Sequence, residues 1–313
     1  MVYLDSQLQK RINEKFGLLQ KLRPLPADKV KKLREQFAIE MTYNSNAIEG
    51  NSLTLKETFF VISEGMTIKG KPLKDHLEAK DHKEALEYLY GLIDQEKQSD
   101  ILETTIRNLQ KLVVKETSSN IAGSYRDGNV MIAGASHRPP DAFEVPNLMR
   151  GAVNWINSGK GKLHPVELAA LAHHKIVYIH PFFDGNGRTA RLLMNLLLMR
   201  AGYPLAVILK NDRKKYYQTL ARADKEDMAP FVNFIARGAE RSLDIYLSVL
   251  LPATSKDQKY FLLSEIAKST PYSEKYLNLL ARQGKIDAHK KDRNWLVSLE
   301  SINDYIKNRQ RQR

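Results

Sequence analysis

The chain has 313 residues, 42% of them hydrophobic, which supports a packed core and excludes a disordered chain. It contains no cysteine, which excludes disulfide frameworks, thiolate metal sites and cysteine nucleophiles and fits a reducing, cytoplasmic setting. The net charge of +13 divides into +7 over the first 250 residues and +6 over the last 63, a basic density that suits polyanions as well as a plain solvated surface.

At the N-terminus, charged and apolar residues alternate with no signal-peptide core. The longest apolar stretch, Leu192 to Met199, falls far short of the ~20 residues that cross a bilayer, so no membrane partner is expected. Ser45 and Glu49 stand four apart, on one face of a helix that Gly50 can end. A glutamate in the last helical turn opposes the helix dipole, which hints at a second purpose. Asn129 to Ser136, with Val130, Met131, Ile132, Ala133 and Gly134 at its centre, is bounded by Gly128 and Pro139-Pro140 and reads as a short β-hairpin in a helical protein. Pro165 opens a helix running to about Ile179. A second helix, expected from about Arg188, is apolar almost all round and therefore central, until Gly202 and Pro204 stop it.

The turn between these two helices is His180-Pro181-Phe182-Phe183-Asp184-Gly185-Asn186-Gly187-Arg188-Thr189-Ala190-Arg191. Gly185, Asn186 and Gly187 tolerate positive φ, so successive N–H groups can converge on an anion at a helix N-terminus. Arg188 and Arg191 add guanidiniums suited to phosphate. Asp184 offers a hard oxygen for Mg²⁺, and His180 a group that accepts a proton near neutral pH. A base, a metal carboxylate, a phosphate nest and two arginines thus lie within twelve residues.

This run resembles the HPFxDGNGRxxR motif of the Fic family at every specified position, and the likeness extends from about Arg34 to about Glu240. Gly123-Ser124-Tyr125-Arg126, His137 to Pro140 and Val145-Pro146 look like the family's segment before the motif. The resemblance implies a mainly α fold with a hairpin flap, and transfer of AMP from ATP to a Ser, Thr or Tyr hydroxyl of a target protein, the chain itself included. His180 would be the base and Asp184 the holder of Mg²⁺. Gly185, Asn186, Gly187, Arg188 and Arg191 would cradle phosphates, Val130 to Gly134 would align the target as an added strand, and Tyr217 would stand beside adenine. Where some relatives have Asn seven residues after that tyrosine, this chain has Asp224.

Ser45 to Gly50 resembles the family's inhibitory motif, (S/T)xxxE(G/N), on a helix expected over about 33–50. Glu49 would pair with Arg191 and block the γ-phosphate; in some relatives such a Glu also helps to remove AMP. The polar joint Pro252 to Asp257 divides a Fic domain, 1–252, from a small module, 258–313. The module reads as helix, turn and helix, then a strand at Trp295 to Val297 and a helix over Ser301 to Ile306. It resembles a winged helix-turn-helix, which implies either DNA contact through Ser273 to Asn278 with Lys290, Lys291 and Arg293, or a protein contact such as a homodimer. The alternative to an AMP transferase is a DNA-binding regulator whose Fic-like domain senses nucleotide without turnover.

Overall fold

The structure is a computed structural model describing residues 2–95, 100–251, 260–291 and 294–310. The chain divides into two compact units, Met1–Leu250 and Leu251–Arg313. The joint over 252–257 and Arg293 lie outside the described residues.

The first unit is helical: α1 (Ser6–Lys21), α2 (Ala27–Ile48), α3 (Leu55–Ser63), α4 (Leu73–Gln95), α5 (Glu103–Val113), α6 (Val145–Gly159), α7 (Pro165–Ile179), α8 (Asn186–Arg200), α9 (Arg213–Ala223) and α10 (Ala229–Leu250). Its centre is α8, where every residue from Arg188 to Leu198 is buried, as an element apolar on all sides requires. Around α8 pack α7, α5, α4 and α2, while α1 lies along α10. Among the described residues, no helix is long and apolar enough to cross a membrane.

Local chemistry sets the ends of the helices that carry the site. Pro165 occupies the first turn of α7, where a missing N–H costs nothing. At the other end His180 caps α7 in the left-handed conformation, φ 50°. The helix α8 begins at Asn186, two residues before the expected start, because Gly185 at φ 82° completes the turn and accepts the first helical bond from Thr189 N. A Cβ at Gly185 would also stand 2.9 Å from Val114 Cγ1. The helix α2 starts at Ala27, earlier than the expected 33, and ends at Ile48 with Glu49 as its cap and Gly50 at φ 106°.

The hairpin expected over Asn129–Ser136 is an extended loop with a turn at Ala133–Gly134, closed by Ala135 N donating to Ile132 O at 3.1 Å. Its arms form no strand ladder with each other. Side chains nevertheless alternate, Val130 and Ile132 half-buried, Met131 and Ala133 exposed, as in a strand.

The second unit runs β1 (Tyr260–Leu262), α11 (Leu263–Ile266), α12 (Glu274–Arg282), β2 (Ala288–Lys291), β3 (Asn294–Ser298) and α13 (Leu299–Gln310). Its sheet is antiparallel in the order β1-β3-β2. Leu263, Ile266, Leu277, Leu280, Ile286, Val297 and Ile302 form its own small core.

Candidate active site

The loop from His180 to Asn186 is stapled by one side chain. Asn186 Oδ1 accepts from Phe182 N at 2.9 Å and its Nδ2 donates to Phe182 O at 2.7 Å, so a buried amide satisfies both backbone groups of the turn. Phe182 is buried beneath, while Phe183 faces outward. Asp184 Oδ1 accepts from Gly185 N at 2.6 Å and from Arg188 Nη2 at 3.2 Å, while 42% of the side chain stays exposed at the loop mouth.

His180 is largely buried, and burial pushes its imidazole down to about 4, against the Val177 carbonyl, which favours the charged form; the Arg126 charge lowers it further. Its Nδ1 is the buried ring nitrogen. The imidazole is therefore neutral at pH 7, with a lone pair to offer a proton.

The two arginines differ. Arg188 is held among protein groups, with Val113 O at 3.3 Å, Asp184 and, at 3.6 Å, Glu78 Oε1 of α4. Glu78 in turn accepts from Asn51 Nδ2 at 2.9 Å. Arg191 is fully buried and reaches α2: its Nε donates to Ser45 Oγ at 2.9 Å, and its Nη2 to Ser45 O at 2.9 Å and Glu49 Oε1 at 2.7 Å. Burial pulls the guanidinium pKa down, but the Glu49 carboxylate together with Tyr216 and Tyr217 outweighs it and the net shift is upward. A Cβ on Gly187 would run into Glu49 Oε1, so the carboxylate rests against the first turn of α8. The acid that opposes the dipole of α2 thereby meets the favourable N-terminal end of α8.

On the adjoining wall, Tyr217 is 39% exposed and the Arg213 guanidinium stands 5.1 Å above its ring. Arg213 Nε also donates to Ile48 O at the end of α2. Tyr216 beside it is buried, its hydroxyl 2.9 Å from His173 Nε2. Asp224 turns away to His174 Nε2, 3.0 Å off.

The sequence-predicted residues thus fall into three groups. His180, Asp184 to Arg188 and Arg191 share one loop and helix start, and Ser45 and Glu49 meet them through Arg191. Tyr217 adjoins through Arg213, and Val130 to Gly134 stand on the separate loop. Sequence reasoning missed Glu78 as a partner of Arg188, and Arg126 as the residue tying that loop to His180, with Nε donating to His180 O at 2.8 Å. Arg126 stood in a segment already singled out, but its acceptors are backbone carbonyls, which leave no sequence signal.

Residues 100–198 match the model of the Fic/DOC family. The chain is 39% identical over 248 residues to a protein adenylyltransferase Fic of Nematostella vectensis, covering 78% of this chain and 57% of that protein. It is 40% identical over 222 residues to one of Drosophila willistoni, covering 70% and 43%. It therefore spans about half the length of these curated relatives. Among solved structures, a Fic domain containing signaling protein from Bacteroides thetaiotaomicron superposes with TM-score 0.71 at 34% identity, covering 77% of this chain and 96% of that one. Fic-1 (aa134–508) from C. elegans matches with TM-score 0.71 at 30% identity over 78% and 72%. With the loop, the buried helix and the arginine pair in place, the chain belongs to the Fic/DOC family.

Proposed function

We propose that the chain is a protein adenylyltransferase that moves AMP from ATP to a hydroxyl of a protein, restrained by Glu49. The observation that carries the reading is that the start of α8 already receives an anion: the Glu49 carboxylate rests against Gly187 and pairs with Arg191. A phosphate suits the same place. The names of the relatives that share 39–40% identity supply the nucleotide.

In this reading His180 Nε2 takes the proton of the target hydroxyl as its oxygen attacks the α-phosphorus, and the bond from that phosphorus to the bridging oxygen breaks. AMP stays on the target and pyrophosphate leaves. Gly185, Asn186, Gly187 and Arg188 cradle phosphate oxygens, Arg191 orients the γ-phosphate once Glu49 withdraws, and Tyr217 flanks the base. Among the described residues no cluster of three or more His, Asp and Glu could hold a metal alone. Asp184, half-exposed at the mouth, instead fits a Mg²⁺ that draws its other ligands from phosphate and water. That ion neutralises phosphate charge when bound. The alternation along Val130–Ala133 supports pairing with an extended target segment.

Incubation with labelled ATP tests the reading. Glu49→Gly should incorporate label and His180→Ala none. A nucleotide-sensing regulator would bind ATP equally in both and turn over in neither.

For the second unit the proposed reading is a duplex contact, with a contact to protein as the alternative. Ser273 caps α12, Lys275 at its start is exposed, and Lys290 is exposed on the β2–β3 hairpin. Fluorescence anisotropy of a labelled duplex with the full chain tests it: salt-sensitive binding lost in Lys275→Glu is expected, and salt-independent or absent binding would remove the assignment.

A further inference from the structure

Arg126 takes no part in the chemistry above, yet its guanidinium is buried and spent on carbonyls of three separate places. Its Nε donates to His180 O at 2.8 Å, Nη1 to Gly128 O at 3.1 Å, and Nη2 to Pro140 O and, at 3.5 Å, to Ile179 O. Its backbone N–H adds a bond to Pro181 O at 2.9 Å. Gly128 and Pro140 are the two roots of the loop that carries Val130 to Gly134, and His180 is the left-handed cap of α7. Among the described residues no carboxylate forms an ion pair with Arg126. A guanidinium buried without one keeps its desolvation cost, which the hydrogen bonds must offset.

The structure assigns Arg126 as a positioning residue that fixes both roots of the 129–140 loop to the backbone of His180. A target strand laid on the loop and the imidazole that must reach its hydroxyl then share one frame. This rests on the transfer reading above. The other ties of the loop do not supply that link. Asn129 joins the roots sideways to Asp141 and Ala142, each at 2.8 Å, and His137 Nε2 meets Tyr178 O at 2.8 Å. None of these reaches His180. Nor can lysine replace the arginine: a compact ammonium cannot span three carbonyls as a planar fork does.

The chain lacks cysteine, so Met131→Cys and Asn154→Cys take spin labels at two sites only. Met131 is 90% exposed at the loop tip, and Asn154 is exposed on α6. In full-length chain the distance distribution should be narrow and should broaden at least about twofold in Arg126→Lys, with the melting transition still cooperative. Activity gives a second readout in the Glu49→Gly background, where AMP can go to protein or to water. A misplaced loop should lower the ratio of protein-bound to free AMP about tenfold in Arg126→Lys, whereas general destabilisation lowers both products together. Unchanged width and unchanged ratio overturn the assignment. If Glu49→Gly yields neither product, the transfer reading fails, and the distances still decide the role of Arg126. If Arg126→Lys does not fold, the Nε–H of Arg126 in the wild-type chain decides. Exchange with solvent much slower than that of an exposed arginine is expected, and exchange as fast as one overturns the assignment.

Discussion

Glu49 Oε1 and Arg191 Nη2 lie 2.7 Å apart across 142 residues of sequence, joining the end of α2 to the first turns of α8. The guanidinium is fully buried and the carboxylate side chain 35% exposed, so the anion is the partner able to leave.

From this pair comes the first prediction. Glu49→Gly should raise auto-modification at least about tenfold, whereas Arg191→Ala should not, because it removes the phosphate's partner together with the inhibitor's. The double variant should stay slow, the non-additivity expected of residues that act as a unit. Label incorporation from ATP by the three variants measures it. Unchanged incorporation in Glu49→Gly would leave Ser45 to Gly50 as an ordinary helix terminus.

His180→Ala should cut transfer by about a hundredfold or more while ATP still binds, since a base is lost and the phosphate nest is kept. Its imidazole sits at about 4. The acid limb of transfer in Glu49→Gly should therefore lie well below the ordinary 6.5, with activity held above about pH 5 and lost as pH falls through 4. An acid limb centred at 6.5 would place another group in the role.

Asp184→Ala should reduce the response of ATP binding and turnover to added Mg²⁺ together, by about tenfold. A Mg²⁺ titration on both proteins measures it, and superposable curves would take Asp184 out of the metal's surroundings. The variant also loses a partner of Arg188, so ATP binding in EDTA serves as the control.

The adjacent tyrosines should separate. Tyr217→Ala should raise KM for ATP several-fold with little effect on melting, because its ring is partly exposed beside the loop. Tyr216→Phe leaves buried His173 Nε2 without its partner and should cost about 1–3 kcal/mol, read by urea denaturation, with KM unmoved. Equal KM effects would mean that neither ring is specific to the base.

Acid should destabilise the first unit through its buried histidines. Burial pushes His82 down to about 3, His180 to about 4 and His173 well below 6.5. These groups take up protons in the unfolded chain first. Stability is thus full above 6.5 and falls on acidification at about 1.4 kcal/mol per pH unit for each such group. Asp81, raised to about 6 chiefly by burial, opposes this between 6 and 3.8. Three groups outweigh one, so the urea midpoint should drop from pH 7 to pH 5; a flat midpoint would mean that the histidines are solvated.

The helices around the site were legible because Pro165 and Gly202 punctuate them and Leu192 to Met199 of α8 is apolar almost all round. The turn from His180 to Arg191 was legible because its chemistry is contiguous in sequence. What escaped was whatever depends on partners brought from afar. The loop expected as a hairpin has strand-like alternation, but its arms do not bond to each other, and periodicity cannot tell a paired edge from an unpaired one. Glu78 reached Arg188 from α4 without any motif. Arg126 was conspicuous as a residue, but its four carbonyl partners were not. Asp224, which departs from the Asn of some relatives, spends its carboxylate on His174 instead.

Ser45 gives the contact between α2 and Arg191 an unexpected character. It supplies two of the hydrogen bonds that Arg191 makes to α2, and neither involves Glu49. When the carboxylate swings out, the guanidinium keeps its place and nothing in α8 must be rebuilt. Inhibition under the proposed reading is then a contest between one tethered carboxylate, with an effective concentration of about millimolar as for short linkers, and a freely diffusing nucleotide. Such a device does not simply lock. It sets a threshold, and the level of ATP around the protein becomes an input to how often the site is free.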